Sequence, residues 1–380
     1  MSTVEILRDL IAFPTVSTDS NLAMIHWLAT RLENVGAVVE VQEDDSGAKA
    51  NLFATLGPMR DGGILLSGHT DVVPVADQDW STDPFEMVER DGKLFGRGTC
   101  DMKGFIAACL NAAPLYASAV DARPLHFAFT HDEETGCIGA QNLVADLRDR
   151  GLSPAIAIIG EPTSMQIIEG HKGCYEYSTL FSGREGHGSA PDLGVNAAEY
   201  ATRYVTRLLE LRHELKARAP EGGRFDPPET TINIGGIHGG VAHNVIVGKA
   251  RVDWEMRPVV AEDAAHVKGA MRRYTDEVLL PAMRSVAPEA EIRVDGMGEV
   301  AGLEPMEENA ARDLLAELTQ ANGAGVVPFG TEAGLFQSLG MAAVVCGPGS
   351  IQEAHKPDEF VTLDQLAACD RMLGKLAERL

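Results

Sequence analysis

The sequence predicts an α/β fold: a mostly parallel sheet with helices on both faces, interrupted by an inserted α+β segment. Three observations carry this reading. Apolar runs at 64–66, 125–129, 155–159 and 342–346 are short and nearly continuous, the pattern of strands buried on both faces beneath helices. After Gly173 the pattern changes, and the next elements follow the order βαββαβ, that of a ferredoxin-like sandwich. At 380 residues the chain is too long for one typical domain.

In chain order, Leu22, Ile25, Leu28, Leu32 and Val35 recur at helical spacing, with Arg31 and Glu33 on the other face. The run 64–66 is the first buried strand, 104–116 reads as a helix, and 125–129 and 155–159 are further buried strands. The inserted segment reads as strand 175–181, helix 196–214, strands 230–237 and 249–256, helix 263–280 and strand 290–294. The glycines at 235–236, 239–240, 347 and 349 read as tight turns rather than phosphate cradles. After Gly302 come a helix at 309–320, the buried run 342–346 and a C-terminal helix from Leu363. One domain therefore comprises 1–173 and 300–380, and the insertion 174–299.

The charge balance narrows the function. Lys and Arg number 32 against 56 Asp and Glu, a net charge of −24. A field of that sign repels phosphate backbones and anionic lipid, which argues against nucleic-acid and membrane partners. The six cysteines are dispersed without a CxxC pair, so no disulfide framework is expected. Residues 1–13 carry Glu5 and Asp9 and lack a cationic start, unlike a secretory leader. No apolar run approaches the roughly 18 residues of a membrane span. A soluble, cytoplasmic protein is expected.

There is no GxxxxGK[ST], GxSxG or HExxH motif. Chemistry gathers instead where the buried runs end. The first leads into His69-Thr70-Asp71, the second into His131-Asp132-Glu133-Glu134, the third into Gly160-Glu161, and the fourth into a glycine loop and His355. Open α/β sheets build their sites just outside the carboxyl ends of strands. Asp101 lies just before a helix. Taken singly, Asp101 reads as a helix cap, Glu161 as an acid at a helix start, Glu133-Glu134 as a solvated pair and His355 as a surface residue. Taken together they form a nitrogen and oxygen donor set suited to zinc, cobalt or manganese. Five ligands for two metals require a bridging carboxylate, as in a two-metal hydrolytic centre.

The stretches 67–74, 96–104, 132–136 and 160–163 resemble, in order and spacing, the signature blocks of the acetylornithine deacetylase / succinyl-diaminopimelate desuccinylase family, which belongs to the dizinc aminoacylases and carboxypeptidases. The stretches 186–191, 331–333 and 347–360 resemble its deacetylase branch. The resemblance implies that His69, Asp101 and Glu161 hold one metal and Asp101, Glu134 and His355 the other, with Asp101 bridging. It implies two divalent metal ions per subunit, zinc first and cobalt as the alternative. Asp71 would hydrogen-bond His69 to fix its tautomer, Glu133 would be the general base, and the Asp101–Met102 peptide would be cis.

The resemblance further makes 174–299 a lid and dimerisation domain of a homodimer. His187 would donate to the oxyanion across the dimer. Arg257 would bind the substrate carboxylate with help from Asn244, and Glu332 would face a cationic side chain. The implied reaction is hydrolysis of N2-acetyl-L-ornithine to L-ornithine and acetate, a step of arginine biosynthesis, on a small N-acylated amino acid. Succinyl-diaminopimelate desuccinylase, a general N-acyl-amino-acid hydrolase and a dipeptidase are alternatives within the family. A non-catalytic amino-acid-binding relative is the alternative outside it.

Overall fold

Eight strands are hydrogen-bonded side by side in the order Val38–Glu43, Ala50–Leu56, Leu125–Thr130, Ile64–His69, Ile156–Pro162, Ala342–Gly347, Ile168–His171, Gly325–Val327. The computed structural model from which this is read describes residues 1–121 and 123–380. The four expected buried runs are the four neighbouring central strands, and they pair in parallel. Each is buried along its whole length, which is why alternation is missing from their sequences. Antiparallel pairing of the flanking strands makes the sheet mixed.

Alternate residues of these strands serve opposite faces. Ile64, Leu66, Phe127, Phe129, Ile158 and Val344 enter a core shared with the helices Thr3–Ile11, Leu22–Glu33, Lys103–Ala119, Ala310–Thr319 and Leu363–Leu376. The helices Ile138–Arg150 and Ala333–Gln337 pack on the other face. Helix starts follow capping chemistry: Ser2 and Glu5 form a capping box, while Asn309 and Thr362 accept from the first turns behind them.

The chain divides into two compact units. The first comprises Met1–Gly170, Pro305–Val326 and Thr331–Leu380, and the second His171–Glu304 with Val327–Gly330. In the second, four antiparallel strands lie in the order Thr231–Gly239, Lys249–Arg257, Cys174–Ser182, Glu291–Val300. With helices Ala197–Lys216 and Ala261–Tyr274 the chain order is βαββαβ. Phe181, Trp254 and Met256 of the sheet pack on Tyr204, Leu208, Leu211 and Val267 of the helices.

Two local expectations are corrected. The helix expected at 263–280 changes to a π turn over Thr275–Leu279 before continuing as Leu280–Arg284. Pro281 has no N–H to give the carbonyl four residues back, which breaks the regular ladder there. The glycines at 235–236 do not turn the chain but continue the strand through a β-bulge between Ile234 and Gly236. Among the described residues no helix is long and apolar enough to cross a membrane, and the six cysteines are free.

Candidate metal centre

Parallel register brings the ends of the central strands to one edge of the first unit. His69 closes its strand, Glu161 is the penultimate residue of Ile156–Pro162, and Glu133 and Glu134 lie in the turn after Leu125–Thr130. Gly160 lets this strand approach the helix Lys103–Ala119, since a β-carbon there would meet the Phe105 ring at 1.9 Å. Asp101 precedes that helix and His355 lies in the turns after Ala342–Gly347.

Asp101 stands between the two histidines. Its Oδ1 lies 3.0 Å from His69 Nε2, and its Oδ2 3.3 Å from His355 Nε2. Glu161 Oε1 is 3.7 Å from His69 Nε2, and Glu134 Oε2 is 3.1 Å from His355 Nε2. Donor atoms of His69, Asp101 and Glu134 lie within 4.8 Å of one another, as do those of His69, Glu133 and Glu161. The structure thus brings together all five residues expected as ligands, together with Glu133.

The electrostatics call for cations. Burial pushes the Glu133 carboxyl up to about 8 and the Glu161 carboxyl well above its usual range. Burial would also raise Asp101, but hydrogen bonds with His355 and His69 hold it below the usual carboxylate range. Burial opposes charge on His69, yet Glu161, Asp101 and Asp71 hold its pKa well above normal. Hydrogen bonds to Asp101 and Glu134 raise His355 to about 10. Among the described residues, none of Asp101, Glu133, Glu134 and Glu161 forms an ion pair with lysine or arginine. Glu161 Oε1 is buried without a hydrogen-bond partner. Four crowded carboxylates and two imidazoles, one carboxylate oxygen left unmatched, fit divalent cations.

Two single-residue alternatives fall away. The cap of the helix Lys103–Ala119 is Met102, with no side-chain cap bond, so Asp101 is not its cap. Glu161 lies inside a strand rather than at a helix start. The Asp101–Met102 peptide is cis. Asp71 fixes His69 differently from the expectation. Its main-chain carbonyl accepts from His69 Nδ1 at 2.9 Å, with the carboxylate 3.6 Å from that nitrogen. The carboxylate instead accepts from Ser17 Oγ at 2.7 Å and from the N–H groups of Glu133 and Glu134 at 3.0 and 3.3 Å.

Glu332 does not face a substrate cation. It is fully buried, and its two oxygens accept from Ser67 Oγ at 2.5 Å and Thr130 Oγ1 at 2.8 Å. Its role is to tie two strand ends together beside the cluster. Sequence reasoning missed Glu359. This buried carboxylate accepts from the N–H groups of Gly98, Cys100 and Asp101 and pairs with Arg97 at 2.7 Å. Its only signal was its place in the 347–360 stretch, because its partners lie about 260 residues away.

In the second unit, Gly186–His187 pairs with Val245–Ile246, and Gly188 N–H donates to the Asn244 carbonyl at 2.7 Å. His187 and Asn244 therefore share one ribbon. His187 is exposed, and its Nδ1 accepts from Ser189 N–H at 3.3 Å. The same nitrogen lies 2.7 Å from Ser189 Oγ. Arg257 ends the strand Lys249–Arg257, its guanidinium 2.8 Å from Glu255 Oε2.

Residues 65–379 match Peptidase family M20/M25/M40. The chain is 37% identical to an acetylornithine deacetylase of Proteus mirabilis, over 99% of this chain and 96% of that protein. The crystal structure of an M20 family metallo-carboxypeptidase from Sulfolobus solfataricus superposes with a TM-score of 0.74 at 16% identity, covering 100% of this chain and 99% of that one. A dinuclear metal binding peptidase from the M20 family of Bacillus subtilis gives 0.64 at 18% identity, covering 99% and 96%. With its family pattern spanning most of its length, the chain belongs to Peptidase family M20/M25/M40 and is a hydrolase of amide bonds.

Proposed function

We propose that the protein is a two-metal deacetylase that hydrolyses N2-acetyl-L-ornithine to L-ornithine and acetate, acting as a cytoplasmic homodimer. The observation that carries the reading is Asp101, whose two oxygens face His69 and His355 separately. His69, Asp101 and Glu161 would hold one cation and Asp101, Glu134 and His355 the other. The name of the Proteus mirabilis relative supports the substrate, and the dinuclear centre of the Bacillus subtilis protein supports the metal count.

Divalent cations held there, zinc first and cobalt as the alternative, would polarise the amide carbonyl and make water more acidic. Glu133 takes a proton from the attacking water and returns it to the leaving nitrogen. Asp71 holds the Glu133 main chain while the carboxylate works. His187 donates to the developing oxyanion, and Arg257, with Asn244 beside it, binds the amino-acid carboxylate. Water adds across the C–N bond, leaving acetate and a free amine.

A second reading, a general N-acyl-amino-acid hydrolase, is favoured by one observation: the oxygens of Glu332 are occupied inside the protein. Release of the free amine from N2-acetylornithine, N-acetyl-leucine and N-succinyl-diaminopimelate, with chelator and with metal restored, separates the readings. Preference for acetylornithine that vanishes with chelator supports the proposal. Equal rates favour the general hydrolase, and metal-independent turnover removes both.

A further inference from the structure

Cys137 occupies the cap position of the helix Ile138–Arg150 with φ +54° and is 2% exposed. That left-handed conformation suits glycine and strains a residue with a β-carbon. Gly136, immediately before it, shows that glycine occurs in this turn at positive φ. Cysteine adds only a thiol, and the thiol has a target. Its Sγ lies 3.4 Å from Glu133 Oε1, and the Cys137 N–H donates to the Glu133 carbonyl at 3.0 Å. Among the described residues, no other group donates to the Glu133 side chain. The Glu133 N–H is meanwhile held by Asp71 Oδ1 at 3.0 Å. Asp71 thus holds the Glu133 N–H, while Cys137 meets both the Glu133 carbonyl and its side chain.

We infer that Cys137 is a positioning residue for Glu133: its thiol fixes the carboxylate rotamer that faces the cluster of His69 and Glu161. This rests on the reading of Glu133 as the proton carrier. A side chain that hands one proton between two positions works only while its orientation is kept, and a free glutamate has three torsions to lose. The S–H group suits the task because it is a weak donor that directs the carboxylate without competing strongly for the lone pair that must take the proton. The longer C–S bond also gives reach, so a serine hydroxyl at the same β-carbon falls short of Oε1. Strain at a capping position is a recurrent price of a functional side chain.

The test combines kinetics with infrared spectroscopy on the metal-loaded protein. Cys137→Ala removes the thiol and keeps the strain, while Cys137→Gly removes both. Both are expected to retain metal and KM and to lose about tenfold in kcat, a barrier change of about 1.4 kcal/mol. Cys137→Ser is expected to recover only part of that loss. The S–H stretching band that disappears in Cys137→Ala should shift in Glu133→Gln, whose neutral amide is a poorer acceptor; a packing role alone would not move it. Wild-type kcat in Cys137→Ala, with Glu133→Gln inactive, overturns the inference and leaves the role of Glu133 standing. A band that stays in place in Glu133→Gln overturns it as well. High activity in Glu133→Gln would instead remove the reading on which the inference rests, and the inference with it.

Discussion

The carboxylate of Glu359 accepts the main-chain N–H of Asp101 at 3.1 Å, so a buried acid holds in place the residue that stands between His69 and His355. The same carboxylate takes the Cys100 N–H at 2.9 Å and faces the buried Arg97 guanidinium. Glu359→Gln turns one acceptor into a donor among donors and leaves Arg97 without its counter-charge. Breaking such a pair costs roughly 3–5 kcal/mol, and disturbing a ligand's support weakens metal binding by about 10–100-fold. Thermal unfolding and chelator competition should register both losses. Unchanged metal affinity would show that the loop keeps its shape without Glu359.

Glu133 and His355 should fail in different ways. Glu133→Gln removes the proton carrier but keeps the ligand set, so metal content should stay near wild type while kcat falls by about 10²–10⁴. His355→Ala removes a nitrogen from the pair with Glu134 and should lower the bound metal count. Elemental analysis alongside acetate release checks both. Substantial turnover by Glu133→Gln would assign the proton transfer elsewhere.

What could be read from the sequence depended on how local the signal was. The four central strands were legible because burial on both faces leaves continuous apolar runs, as in Ala342–Gly347. The edge strand Val38–Glu43 is half-exposed and carries two acids, and Gly325–Val327 has only three residues, so neither left a clear pattern. Ligand positions were legible because strand ends are marked by the runs before them. The roles of Glu332 and Glu359 were not, because a buried acid and a solvated one are the same letter. Glu332 finds Ser67 across 265 positions, a pairing that only the folded sheet creates. The Cys137 conformation was equally hidden, since nothing in the preceding Gly136 announces a second left-handed residue.

His126 should make stability fall in acid. It lies inside the central sheet, stacked 5.2 Å from Phe53, and burial lowers its pKa to about 4. The unfolded chain protonates near 6.5, so between pH 6.5 and 4 the unfolded state binds more protons and stability drops as pH falls. The contribution is fully present above 6.5 and reaches a loss of about 3 kcal/mol by pH 4. Urea unfolding across this window should therefore show a shallower slope in His126→Gln than in wild type. Parallel slopes would mean that His126 is protonated in the folded protein.

Glu332 is expected to act on stability and not on substrate choice. If the pocket favours ornithine, N2-acetylornithine should exceed N-acetyl-leucine by at least about tenfold in kcat/KM, roughly 1.4 kcal/mol of discrimination. Glu332→Gln keeps an acceptor for either Ser67 or Thr130 but not a charge for both. It should lower the unfolding temperature and leave the ratio of the two rates unchanged. A collapse of that ratio would return Glu332 to the substrate.

The proposed dimer makes a stronger demand, because His187 and the metal ligands belong to different units of the chain. If the second units pair two subunits and His187 serves the partner's centre, each site needs Glu133 from one chain and His187 from the other. Glu133→Gln and His187→Ala homodimers should then each be nearly inactive. Subunit exchange creates a heterodimer in which one site lacks both groups and the other has both. About half of the wild-type activity per heterodimer should return, one intact site of two. The order of mixing should not matter, and recovery should follow the fraction of heterodimer measured by native mass spectrometry. If exchange is complete and activity stays at the level of the two parents, His187 acts within its own chain or takes no part in the reaction. Residual activity in His187→Ala alone separates those outcomes: a loss of about 10²–10³ in kcat is that of an oxyanion donor, whereas a near-normal rate removes His187 from the site.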